Sequence, residues 1–117
     1  MNLDNAIDAH AQWKIRLRTA IQTKQPLDAA KIARDDQCEL GKWLHGEAKA
    51  KYGSAPIFAE LLSRHAAFHL AAAEVAKAIE AGQYAEAERL LGASNFTVAS
   101  RQVTMAIMEL KVSLKAA

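Results

Sequence analysis

Residues 58–79 read FAELLSRHAAFHLAAAEVAKAI, and their apolar positions fall at Phe58, Leu61, Leu62, His65, Phe68, His69, Ala72, Val75, Ala76 and Ile79. Steps of three and four are the period of a helix with one buried face. The stretch therefore predicts a long amphipathic helix, opened by Ser54-Ala55-Pro56 and stopped at Gly82. Two of the positions on its buried stripe are histidines, which an apolar core does not need.

The same period recurs on both sides. Leu3, Ile7, His10, Leu17 and Ile21 mark a first helix over about residues 3 to 23, which Gln25-Pro26 ends because proline disfavours helix in the residue before it. A further helical piece is expected around residues 28 to 34. Asp36-Gln37-Cys38-Glu39 has the form of a capping box in which Asp36 would accept from free backbone amides and Glu39 would reach back. A short helix from Cys38 to about His45 should follow, with Gly46 as its terminator, and Lys49 to Gly53 reads as a polar connector. A segment starting near Tyr84 is interrupted at Gly92, and Phe96, Ala99, Val103, Ala106, Ile107, Leu110 and Leu114 mark a last long helix. No strand alternation competes with this pattern. The expectation is an all-α bundle in one domain spanning residues 1–117.

Composition narrows the function. Hydrophobic residues make up 51% and charged ones 24%, which is ordinary for a folded soluble chain and argues against disorder. The formal charge is +2, and Lys14, Arg16 and Arg18, the nearest approach to a basic cluster, point in different directions on a helix; neither a nucleic-acid nor an anionic-membrane footprint is present. No apolar run approaches the ~18 residues of a membrane span, and MNLDNAIDAH lacks the features of a leader, so a cytoplasmic chain is expected. Cys38, alone, can form no internal disulfide.

The histidines carry the chemistry. His65 and His69, four apart, stack on one helical face with Cβ atoms roughly 5–6 Å apart, a spacing that suits convergence on one metal ion. Without a metal, each buried imidazole needs a polar partner or costs about 1–3 kcal/mol in desolvation. His10 adds a third imidazole on the stripe of another helix, and Cys38 adds a soft ligand at a helix start, where the dipole favours the thiolate. His10, Cys38, His65 and His69 make a closed set of the kind Zn²⁺ takes. His45, beside Gly46, lies on no such stripe and reads as exposed. The thiolate leaves the zinc site at +1, so a neighbouring carboxylate is expected, Asp35 or Asp36. Trp13 and Trp43 read as packing residues, with Trp43 holding the short helix over the metal region.

Four stretches, AIDAHAQWKIRL, DDQCELGKWLHGE, FAELLSRHAAFH and ASNFTVASRQVTMAI, together resemble the bacterial chemoreceptor zinc-binding (CZB) domain family, over about residues 5 to 110. The resemblance implies an antiparallel four-helix bundle with an additional short helix carrying the cysteine ligand, a homodimer, and zinc held by the residues here numbered His10, Cys38, His65 and His69. It further implies a cytoplasmic regulatory role beside a chemotaxis receptor or diguanylate cyclase signalling domain, sensing zinc or oxidants such as hypochlorous acid. Catalysis is not expected: a zinc hydrolase keeps an open position and often an HExxH pair, whereas this helix reads HAAFH. A di-iron bundle needs inward carboxylates, and Glu60 and Glu74 fall off the His65/His69 face. The competing expectation is a structural zinc-stapled helical dimerisation module with no sensing role.

Overall fold

In the computed structural model, which describes residues 1–116, seven helices follow one another: α1 (Leu3–Thr23), α2 (Ala29–Ile32), α3 (Glu39–His45), α4 (Glu47–Tyr52), α5 (Pro56–Glu80), α6 (Tyr84–Gly92) and α7 (Ser94–Ala116). The described residues contain no strand. Helix α5 is central, packing on α7, α6, α2, α1 and α4, while α1 also packs on α7 and α6. The molecule measures 47 × 22 × 20 Å.

Each helix end has a local cause. Asn2 caps α1 by accepting from the Asn5 amide at 3.0 Å. At its other end Lys24 takes a left-handed φ of 56°, its amide returning to α1 carbonyls before Pro26 prevents continuation. Asp28 caps α2 through the Lys31 amide, and the Glu80 carboxylate accepts from the Ala29 amide at 2.6 Å, fastening α2 to the last turn of α5. Pro56 opens α5 at the position where its missing N–H costs nothing. Gly82, at φ 72°, supplies the left-handed residue that turns the chain from α5 into α6.

The stripe expected on α5 is the one buried: Phe58, Leu61, His65, Phe68, His69, Ala72, Val75, Ala76 and Ile79 all face the interior, with Leu62 half-buried at its edge. Leu17 and Ile21 of α1, Leu40 and Leu44 of α3, and Val103, Ile107 and Leu110 of α7 complete the core.

Two local expectations are corrected. The supposed connector at residues 49–53 lies mostly in a helix, α4, which fully buries Ala48 and half-buries Tyr52, too short a stripe to read. The capping box is absent in the expected form. Cys38 itself is the N-cap of α3, its Sγ accepting from the Gly41 amide at 3.4 Å, while Asp36 is taken up by Arg34 and Gln37. A guanidinium two residues away offers Asp36 a charged, bidentate partner that backbone amides do not match.

Candidate metal centre

Cys38 reaches the core because the chain crosses over α3 before entering it. The Asp35 carbonyl lies directly on the backbone of Gly41, so close that a Cβ there would stand 1.6 Å from the carbonyl oxygen. Only glycine permits that crossing. It holds residues 35–38 flat on α3 and aims the half-buried thiol at α5.

There Sγ lies 3.2 Å from His65 Nε2 and 3.6 Å from His69 Nε2, and the two ring nitrogens stand 3.0 Å apart. His10 completes the group from α1, its ring edge-on to His65 with centroids 5.0 Å apart. One donor atom from each of His10, Cys38, His65 and His69 lies within 4.8 Å of all the others. All three histidines are buried.

Two imidazoles are oriented by backbone. His10 Nδ1–H donates to the Ala6 carbonyl at 2.7 Å, one turn back along α1, and His69 Nδ1–H donates to the Ile32 carbonyl of α2 at 2.9 Å. With the proton on Nδ1 in both rings, both Nε2 lone pairs are free for the cluster. The last residue of α2 thus orients a ring on α5.

The fit to a metal ion is tested by what is left over. His10 Nε2 is buried with no hydrogen-bond partner; so is His65 Nδ1, although the His65 atom in the cluster is Nε2. A lone proton cannot serve three imidazole nitrogens and a sulfur at once, but a cation can. A tetrahedral ion with Zn–N near 2.0–2.1 Å and Zn–S near 2.3 Å has N–N edges of about 3.3 Å and N–S edges of about 3.6 Å. The observed 3.0, 3.2 and 3.6 Å are within a few tenths of an ångström of those edges. The donor set of nitrogen and sulfur is the one zinc prefers.

Burial leaves the cluster without charge of its own. Burial drives the His65 pKa down to about 2, helped by the neighbouring His69 and His10, and burial lowers His10 and His69 as well. All three are therefore neutral, the form that ligates a metal. The thiol differs from expectation: burial pushes Cys38 above its ordinary value, outweighing the Gly41 and Leu40 amides that pull it down. The helix start alone does not hold a thiolate here, and a divalent cation at the cluster would. Of the two candidate carboxylates, Asp35 is the one felt by Cys38 and His69. Its Oδ2 also accepts from His45 Nε2 at 3.1 Å, which leaves His45 exposed and outside the cluster, as its sequence position suggested.

These shifts have a consequence for metal-free protein. An unfolded histidine titrates near 6.5, whereas the native rings resist protonation, so below about pH 6.5 the unfolded chain takes up protons that the native one does not. Stability should hold above about pH 7 and fall as pH drops below about 6.5, by up to about 1.4 kcal/mol per pH unit for each ring. Urea midpoints of chelator-treated protein from about pH 8 to 5 read this directly, and a flat profile contradicts it.

Two cavities approach the cluster. One, of about 310 Å³, has Trp13, Arg16, Lys31, Arg34, Cys38 and His69 among its walls; the other, of about 130 Å³, brings in Ala9, His10, Cys38 and Glu39. The tryptophan beside the site is thus Trp13, whereas Trp43 packs near Tyr52 of α4, with ring centroids 6.3 Å apart. Sequence reading missed this wall, although His10 and Trp13, and Trp13 and Arg16, are each three apart and so neighbours on α1. The backbone acceptors Ala6 and Ile32 carry no sequence signal of their own.

A helical chain that gathers three imidazoles and a thiol inside its core is of the class of helical metal-binding domains. The family model described as the chemoreceptor zinc-binding domain matches residues 10–76, more than half of the chain and all four cluster residues. The chain belongs to this family, whose members bind zinc, and its cluster of His10, Cys38, His65 and His69 suits that ion. The match ends within α5, so the small-residue segment at 93–107 lies outside it. Neither the curated proteins nor the solved structures give a match.

Proposed function

We propose that the chain is a zinc-binding sensory module of bacterial signalling, with His10, Cys38, His65 and His69 as the zinc ligands and Cys38 as the oxidant-sensitive one. The observation that carries this is the convergence of four donor atoms from α1, the start of α3 and α5 on one buried point. Residues 1–117 act as one domain. Mutual contacts among α1, α5, α6 and α7 support a four-helix bundle, with α3 as the extra short helix beside Cys38. No described helix is long and apolar enough to cross a membrane, in keeping with a cytoplasmic module beside a chemotaxis receptor or diguanylate cyclase domain.

Bound zinc would supply the positive charge that keeps Cys38 a thiolate. The thiolate sulfur gives two electrons to hypochlorous acid: an S–O bond forms, the O–Cl bond breaks, and chloride leaves, giving sulfenic acid. The product is a poorer donor, so Cys38 leaves the cluster. Because Cys38 caps α3 and its loop lies on Gly41, its departure loosens α3 from α5. The rings on α1 and α5 are then free to separate.

Titration with hypochlorous acid tests this. Trapped sulfenic acid at Cys38 should appear in step with zinc release and a change in helix arrangement. An unmodified thiol, or a modified one with zinc content and helices unchanged, contradicts the reading. Four protein donors that close the shell also favour a second reading, a structural zinc staple in a dimerisation module; there, oxidation or zinc removal gives simple unfolding. Either way a closed shell leaves no position for catalysis.

A homodimer has a surface to form on. Val98, Met105 and Val112 recur every seven residues on α7 and are 41%, 53% and 66% exposed, with Met108 and Leu70 of α5 also exposed. Such a stripe is the seam along which helices of two copies pair. Met105→Glu with Val112→Glu should convert a dimer to a monomer in analytical ultracentrifugation while leaving zinc bound; a monomeric unsubstituted protein at micromolar concentration contradicts the dimer.

A further inference from the structure

The larger cavity differs from the smaller in charge as well as size. Its walls bring together Arg16 from α1, Lys31 from α2 and Arg34 after it, against the single acidic residue Asp28, whose carboxylate already caps α2. Arg16 Cζ lies over the Trp13 ring, 3.8 Å from its centroid, and both residues line the cavity. Leu27 and Ile32 supply an apolar side, and Cys38 and His69 stand on the wall they share with the cluster. The 130 Å³ cavity on the other side has Glu39 and no lysine or arginine. A chain of net charge only +2 has thus placed Arg16 and Lys31 at one of its two approaches to the thiol, beside Arg34, which Asp36 holds.

A second fact gives that arrangement a use. Cys38 is the only cysteine in the chain, so once oxidised it has no internal thiol to resolve it. Recovery needs a thiol from outside this domain. We propose that the basic cavity binds a small anionic thiol of about tripeptide size, carrying free carboxylates, and delivers it to Cys38. A volume of about 310 Å³ is at the lower end of small-ligand pockets, and Arg16 and Lys31 match carboxylates. The chemistry balances: Cys38–SOH and RSH give the mixed disulfide Cys38–S–SR and water, and a second RSH gives Cys38–SH and RSSR. This rests on the oxidant-sensing reading for its role, but the binding site can be tested apart from it.

The test uses thiol–disulfide exchange on the full zinc-stripped chain, which requires no prior oxidation. Cys38 thiolate attacks a disulfide, forming Cys38–S–SR and releasing RS⁻. Rates are compared by intact-protein mass for oxidised glutathione, which is anionic, and cystamine, which is dicationic. The expected result is an exchange at least tenfold faster with oxidised glutathione once intrinsic rates on a free cysteine are divided out. That preference should shrink in high salt and reverse in Arg16→Glu with Lys31→Glu, two exposed positions whose substitution leaves the helical circular dichroism unchanged. Equal corrected rates, or a preference that survives the charge reversal, overturn the proposal. Sulfenic-acid trapping after hypochlorous acid reads the sensor itself, so a failure there with charge selectivity intact sinks the sensing role and spares the cavity.

Discussion

Gly41→Ala should abolish high-affinity zinc binding without touching a ligand. An alanine Cβ would stand 1.6 Å from the Asp35 carbonyl oxygen, 2.7 Å from its carbon and 3.1 Å from Asp36 Cα. All three are backbone atoms, which cannot swing aside as a side-chain tip can. Restoring ordinary contact moves that backbone by about 2 Å. Cys38 lies two and three residues beyond it and is tied to Gly41 by its capping bond, so the thiol moves too. A zinc site tolerates ligand displacements of only about 0.2 Å. Zinc affinity, read by competition with a chromophoric chelator, should fall at least ~100-fold, and overpacking should cost about 1–3 kcal/mol in urea unfolding. Gly92→Ala is the control, since a Cβ there meets nothing within 4 Å, and it should stay within about 0.5 kcal/mol. Unchanged zinc affinity in Gly41→Ala would mean that the crossing does not position Cys38.

His65→Leu should act with opposite signs on two measurements. His65 is fully buried, holds the closest approach to Cys38 Sγ, and keeps one ring nitrogen with no partner. A residue retained for stability would not leave a polar atom so placed. Leucine is similar in size and carries no polar group, so the metal-free variant should be more stable than metal-free wild type by about 1–3 kcal/mol. Zinc binding should be lost, because three donors remain where four converged. The wild type gains about 4 kcal/mol from zinc at a thousandfold excess over its Kd, and the variant gains almost none. Urea unfolding of both proteins with zinc and with chelator reads all four values. A metal-free variant less stable than metal-free wild type would make His65 a packing residue.

The long helices were legible because burial writes itself into sequence as a period, and a face of 21 to 25 residues repeats that period several times. Helix α4 was not, because it buries Ala48 fully and Tyr52 only by half, and a single step of four sets no period. The cluster was legible for the same reason as the helices. A histidine on an apolar stripe violates the pattern, and three such violations, with one cysteine, left a short list. The start of α3 was misread because Asp36 has the right residue type for a cap. Only the structure shows Arg34 taking its carboxylate and Cys38 turning inward as the cap. The thiol's ionisation was misjudged because a helix start is visible in sequence and the depth of burial opposing it is not. The basic cavity sets Trp13 and Arg16 of α1 and His69 of α5 against residues 27–38, a meeting that exists only once the chain folds.

In the proposed function, His10, Cys38, His65 and His69 hold zinc together. Elemental mass spectrometry of protein purified without added zinc, alongside Cys38→Ala, tests it most directly. About one zinc per chain in the wild type, lost or much weakened in the variant, is the expected result for a four-donor site. A folded wild type carrying no zinc, or a variant that retains its zinc undiminished, would contradict it.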